Sequence, residues 1–151
     1  MIITQPFVAL MHFLKTRIEL SFSNDLRMIG QVKDQEIVAV VGFNNFMGKT
    51  CMIHCAGEGK RWLNREFLWA SMDYPFNQCE LDVVMATVRE SNNPSAKFLD
   101  SMGFNLIHTI KDGFAKGESL NLFEIRRSAA ERWLSLGKRY EQEHTQSASV
   151  S

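Results

Sequence analysis

His54 and Glu58 are the side chains best suited by type and setting to move a proton. Both stand in the run Met52-Ile53-His54-Cys55-Ala56-Gly57-Glu58-Gly59-Lys60-Arg61-Trp62-Leu63, which reads as a strand, a glycine-containing turn and a helix start. An imidazole with an ordinary pKa of about 6.5 can take a proton from an ammonium near neutral pH. Strand alternation puts Met52, His54 and Ala56 on one face and Cys51, Ile53 and Cys55 on the other. A hydrogen-bonded histidine at the core edge is the competing reading of His54, and a solvated turn carboxylate that of Glu58. Downstream, Gly57 and Gly59 allow close approach of a ligand, and Lys60 and Arg61 add local positive charge. Unpaired N–H groups at a helix start favour an anion there. An ordinary strand-to-helix turn with surface Lys and Arg would look the same.

The cysteines carry less. Cys51 and Cys55 are four apart on one strand, so at about 3.3 Å per residue their α-carbons lie roughly 13 Å apart, too far for a disulfide or a shared metal. Adjacent His54 and Cys55 point to opposite faces and make no nucleophile pair. Three cysteines, an odd number, form no disulfide framework and are expected to be reduced.

Positioning these residues falls to a βαβ unit. Residues 50–56 form the first strand, and a helix from about Arg61 to Tyr74 carries Leu63, Phe67, Ala70 and Tyr74 toward the core until Pro75 stops it. The nearly all-apolar run 81–88 is a buried strand that should lie parallel to the first, with a right-handed crossover. Upstream, Phe7, Leu10, Met11, Leu14 and Ile18 share one helical face behind Pro6. Residues 26–32 and 36–43 then make a hairpin around Lys33-Asp34-Gln35, and residues 44–49 a turn into the next strand. Downstream, Asn93 is a plausible N-cap for a helix with Pro94 in its first turn, ended by Gly103. A second hairpin spans 105–110 and 120–126, around Asp112-Gly113 and Lys116-Gly117. Ser128 and Glu131 have capping-box spacing for a terminal helix with Trp133, Leu134 and Tyr140. The aromatic cluster of Trp62, Phe67, Trp69, Tyr74 and Phe76 is expected to be core, and Arg126-Arg127 and Lys138-Arg139 to be solvated charges.

The segment Asn92-Asn93-Pro94-Ser95-Ala96-Lys97-Phe98-Leu99-Asp100-Ser101-Met102-Gly103-Phe104 resembles the strand, Asn-x-x-Ser/Ala helix and Gly-Phe ending of the GNAT acetyltransferase superfamily. With the glycine turn before it and the flanking strands, the resemblance covers roughly residues 26–127. It implies a single-domain α/β (α+β) GNAT-like fold over residues 1–142, a mixed central sheet whose βαβ cofactor-binding core is flanked by helices. It also implies acetyl-CoA as cofactor and direct attack by an acceptor amine, which could be a protein N-terminus, a lysine or a small amine. The cofactor arm would enter between strands 50–56 and 81–88, bonding backbone groups of Ile53, His54, Cys55 and Ala56. The diphosphate would lie at Gly59, Lys60, Arg61, Trp62, Leu63 and Asn64, with Asn92 and Ser95 facing the cofactor. His54 would be the general base and Glu58 its competitor.

Three departures accompany the resemblance. Counting from Arg61, the two small positions of the basic-x-x-Gly-x-Gly/Ala pattern are Asn64 and Glu66. The tyrosine that often meets the leaving thiolate, four residues before Gly-Phe, is Leu99. The N-terminal region is short, with residues 1–4 the one candidate for a first strand. A catalytically silent GNAT-fold module for CoA binding or protein interaction is therefore the alternative. Ala56-Gly57, Arg61-Trp62-Leu63, Arg65-Glu66-Phe67-Leu68, Tyr74-Pro75-Phe76-Asn77-Gln78 and Arg132-Trp133-Leu134 further resemble a phage and prophage branch.

At 151 residues and 45% hydrophobic content, the chain supports one core. Seventeen basic and seventeen acidic residues cancel, so no global field draws nucleic acid or an anionic membrane. The apolar stretch 7–14 is interrupted by His12 and too short to span a bilayer. A cytoplasmic protein is expected, in the host cytoplasm if phage-encoded, with a homodimer open and a polar, disordered tail over 143–151.

Overall fold

The computed structural model describes residues 1–21, 23–59 and 64–137. Lys60, Arg61, Trp62, Leu63, Lys138, Arg139, Tyr140 and the expected tail lie outside the described residues.

Among those described, one seven-stranded sheet runs in the order β1-β2-β3-β4-β5-β7-β6. Its strands are β1 (Ile2–Ile3), β2 (Arg27–Lys33), β3 (Glu36–Met47), β4 (Thr50–Gly57), β5 (Val83–Arg89), β6 (Asn105–Ala115) and β7 (Glu118–Arg126). The helices are α1 (Phe7–Lys15), α2 (Arg65–Asp73), α3 (Asn93–Met102) and α4 (Arg127–Leu134). Only β4 and β5 pair in parallel, with α2 in the crossover between them, which is the expected βαβ unit. Residues 1–4 do supply a first strand, paired antiparallel to β2.

Two apolar layers sandwich the sheet. One face buries Leu10, Phe13 and Leu14 of α1 on Met28, Val40 and Ala56. The other buries Phe67, Ala70 and Met72 of α2, Leu99 and Met102 of α3 and Leu134 of α4 on Val41, Phe43, Cys51 and Val84. Strand alternation in β4 follows the two layers, because Cys51, Ile53 and Cys55 pack with α2 and α3 while Ala56 packs with α1.

Local chemistry accounts for the differences from expectation. The first hairpin turns at Asp34 and Gln35, with φ of 51° and 65°, the two left-handed residues of a tight hairpin loop. β3 runs on to Met47 through the expected 44–49 turn, because a bulge sets residues 45–46 opposite Cys51 alone and the chain reverses only at Gly48. In α1 the buried stripe includes Phe13 and omits Phe7, which is 47% exposed, and the helix ends before Ile18. Pro75 does not stop the crossover helix: a π-helical segment, Tyr74–Gln78, continues it. The wider turn bonds Cys79 N–H to Tyr74 O at 2.9 Å, and Pro75 O accepts from Leu81 N–H at 3.0 Å.

The α3 cap is Asn92, not Asn93. Asn92 Oδ1 accepts from Ser95 N–H at 3.3 Å, and Pro94 still falls in the first turn. Gly103, at φ 102°, closes α3, and Phe104 N–H reaches back to Leu99 O at 3.0 Å. β7 feeds directly into α4, so Arg126 takes the cap position without a side-chain bond and Ser128 already lies inside the first turn. The Ser128 capping box is thus not formed. β6 extends to Ala115, lengthening the second hairpin. Arg127 is not merely solvated: it donates to Asn77 Oδ1 at 2.8 Å and to Phe76 O, pinning the π-helical segment.

Candidate active site

β4 and β5 share a ladder only at Thr50↔Val83, Cys51↔Val84 and Met52↔Met85. Beyond it β4 stays paired to β3 and β5 to β7, so the two strands part. A cleft of about 940 Å³ occupies the gap. It is walled by Ile53, His54 and Cys55 of β4, Ala86 to Arg89 of β5, Phe67 and Ser71 of α2, and Asn92, Ser95 and Leu99 at and along α3. Residues 16–21, after α1, close it on the side of the α1 layer.

The β3–β4 register decides which backbone groups the gap offers. Glu58 N–H bonds Val38 O at 2.9 Å, and in an antiparallel ladder hydrogen-bonded pairs recur every second residue. Ala56, His54 and Met52, opposite Val40, Gly42 and Asn44, therefore direct their backbone groups to β3. Ile53, Cys55 and Gly57 direct theirs toward the gap. Of the four residues expected to offer backbone groups to a cofactor arm, Ile53 and Cys55 have the needed orientation, whereas His54 and Ala56 do not.

The His54 side chain lies on the α1 face, half-buried at the gap. Its Nε2 is 2.7 Å from Asn44 Oδ1. An amide oxygen only accepts, so Nε2 carries the hydrogen and the lone pair of Nδ1 is left as the basic site. Asn44 itself is 3% exposed. Burial lowers the His54 pKa from 6.5, which keeps the ring neutral at neutral pH. The imidazole resonances of His54 are accordingly expected to titrate with a midpoint below 6.5 in an NMR pH series. The sign for stability follows. The unfolded chain protonates this ring first, so the histidine's contribution is present above about 6.5 and is lost as pH falls through the folded midpoint.

Glu58 sits outside the cleft wall, with its carboxylate paired to Arg17. The same guanidinium donates to Phe13 O at 3.0 Å and stacks 3.6 Å from the Phe13 ring. Gly59 turns with φ 63°, and a side chain there would meet nothing within 4 Å among the described residues. Asn64 caps α2, Oδ1 accepting from Phe67 N–H at 2.8 Å. That bond takes one of the donors an anion would use. Glu66 turns toward the amino terminus, 3.7 Å away. Asn92 and Ser95 both face the cleft and form the α3 cap, so their capping and site-facing readings coexist. Leu99 presents an apolar, 9% exposed side chain to the cleft. Burial pushes the Cys55 and Cys51 thiols up to about 12, so neither is a thiolate nucleophile at neutral pH.

Asn44 and Arg17 are the residues that sequence reasoning missed. The pair Asn44-Asn45 reads as a turn. Extending the Val40, Gly42 alternation by one step, however, places Asn44 on the same face as His54. Nothing in the sequence links Arg17 to Glu58, 41 residues away.

No family model and no curated protein sequence matches the chain. Solved structures do. The ribosomal-protein-S18-alanine N-acetyltransferase from Escherichia coli superimposes with a TM-score of 0.66 over 83% of this chain and 92% of its own, at 13% identity. Spermidine/spermine N-acetyltransferase SpeG from Vibrio cholerae, in complex with manganese ions, gives 0.68 over 85% and 92%, also at 13% identity. RimJ from Mycobacterium smegmatis, in complex with CoA-disulfide, gives 0.60 over 75% of this chain and 61% of its own, at 21% identity. The chain has the GNAT acetyltransferase fold. No helix among the described residues is long and apolar enough to cross a membrane.

Proposed function

We propose that this protein is an acetyl-CoA-dependent N-acetyltransferase that acts by direct attack of an acceptor amine. The observation that carries the reading is the parting of β4 from β5 beyond Met52 and Met85, with a neutral histidine on one face of the gap and the α3 cap on the other. Bound acetyl-CoA would supply an activated thioester. The gap-facing backbone groups of Ile53 and Cys55 would hold its arm, Asn92 and Ser95 would line it, and residues Gly59, Lys60, Arg61, Trp62, Leu63 and Asn64 would receive the diphosphate. A gap-facing N–H of β4 would polarise the reacting carbonyl. Nδ1 of His54 takes the proton from the acceptor ammonium, directly or through one water, while Asn44 holds Nε2–H. Glu58, held by Arg17 outside the cleft wall, leaves the base role to His54.

Leu99 favours a second reading, because an apolar group stands where a proton donor would meet the leaving sulfur. A CoA-binding module without turnover would share every other feature. The short motifs that resemble a phage branch support placing either version in a host cytoplasm.

Calorimetry tests the cofactor first, with micromolar or tighter acetyl-CoA binding expected. Absence of heat and of any thermal shift at millimolar acetyl-CoA would overturn the proposal. Turnover is then assayed with spermidine, lysine and an alanine-terminated peptide, the first and last echoing the amines named for the similar structures. Binding without acetylation of any amine, in a lysate screened with labelled cofactor, selects the module.

A further inference from the structure

The structure assigns Asp25 as a positioning residue for His54, acting through the β3 bulge and Asn44; the assignment rests on the proposed base role of His54. β2 begins at Arg27, opposite Phe43, so residues 44–46 of β3 extend past their neighbour. There the bulge puts Asn45 in the left-handed region, φ 53°, which turns successive N–H groups toward one point. The Asp25 carboxylate fills that point. Oδ1 accepts from Asn45 N–H at 3.1 Å and Oδ2 from Phe46 N–H at 3.0 Å, standing in for the missing ladder. Ser23 Oγ donates to Oδ1 as well. Those three donors, led by Ser23, hold the carboxyl below the ordinary carboxylate range, so it remains an acceptor at neutral pH.

The consequence lies one residue upstream. Asn44 Oδ1 reaches His54 Nε2 at 2.7 Å, and its aim depends on the backbone that follows it. A left-handed asparagine without its carboxylate is free to relax, because a non-glycine residue prefers negative φ. Relaxation withdraws the oxygen that keeps hydrogen on Nε2. Nδ1 would then carry the hydrogen in part of the population, and the basic lone pair would move to Nε2, on the Asn44 side of the ring. The same bonds tie the segment before β2 to the rim of the cleft that residues 16–21 close.

The test uses the whole protein with 15N-labelled histidine. His54 is assigned among the four histidines by its loss in His54→Ala. Wild type is expected to show His54 as the Nε2–H tautomer. Asp25→Asn, in which one amide group faces an N–H as a donor rather than an acceptor, is expected to show a tautomer mixture. It should also lower kcat on the order of 10–100-fold with acetyl-CoA affinity unchanged. Asp25→Glu keeps the charge on a longer arm and should move the same signals less, serving as the readout if the asparagine variant does not fold. An unchanged His54 tautomer in whichever variant folds overturns the assignment. The tautomer is read without acceptor or cofactor, so it decides this assignment even if His54→Ala proves that the base lies elsewhere.

Discussion

His54→Ala is expected to lower kcat by about 10²–10⁴-fold while acetyl-CoA affinity, read by calorimetry, stays nearly unchanged. The split follows from where the side chain stands. The imidazole lies on the α1 face of β4, whereas the strand's backbone donors to the gap come from its odd-numbered residues. Removing the ring therefore deletes a proton acceptor and spares the groups proposed to hold the cofactor arm. Truncation also leaves Asn44 Oδ1 without its partner in a buried site, a cost of about 1–3 kcal/mol in stability. Thermal melts must accompany the kinetics for that reason. Equal rates for variant and wild type would remove the base role from His54. It would then fall to Glu58 or to water, and the Arg17 ion pair makes water the better candidate.

His54 and its face were legible because a strand obeys a period of two, and apolar neighbours such as Ile53 and Val41 fix which face is which. The βαβ unit was legible because the nearly all-apolar run 81–88 reads as a buried strand and a helical apolar spacing separates it from strand 50–56. Features that depend on distant partners were not. Pro75 is ordinarily a helix stop, but here Arg127 donates to Phe76 O, 51 residues before it, and supports a wider turn around the proline. Asn44-Asn45 carries turn composition, yet Asp25 supplies acceptors that let the strand continue through a bulge. Ser128 has the right spacing for a cap, and only the direct junction of β7 with α4 shows that the cap falls two residues earlier. The helix start at Arg65 rather than near Arg61 has a local origin, because Asn64 offers a side-chain acceptor where Arg61 offers none.

The position of the acetyl-CoA arm is open to a blocking substitution. Cys55 lies on the α2/α3 face of β4, lines the cleft and is half-buried, with its thiol protonated and, among the described residues, in no cluster that could hold a metal. Cys55→Trp would project an indole into the 940 Å³ gap between β4 and β5. Free space there spares the core the strain that overpacking would impose at Cys51, which is fully buried. Acetyl-CoA binding is expected to weaken by about 100-fold or more, because an arm seated in the proposed gap cannot share volume with a fixed side chain. The melting temperature should stay close to wild type. Cys55→Ser is the control: it retains the volume and the backbone donors and should bind normally. A tryptophan variant that is folded and binds acetyl-CoA as tightly as wild type would place the cofactor outside the gap. The His54 geometry would then have no thioester to serve.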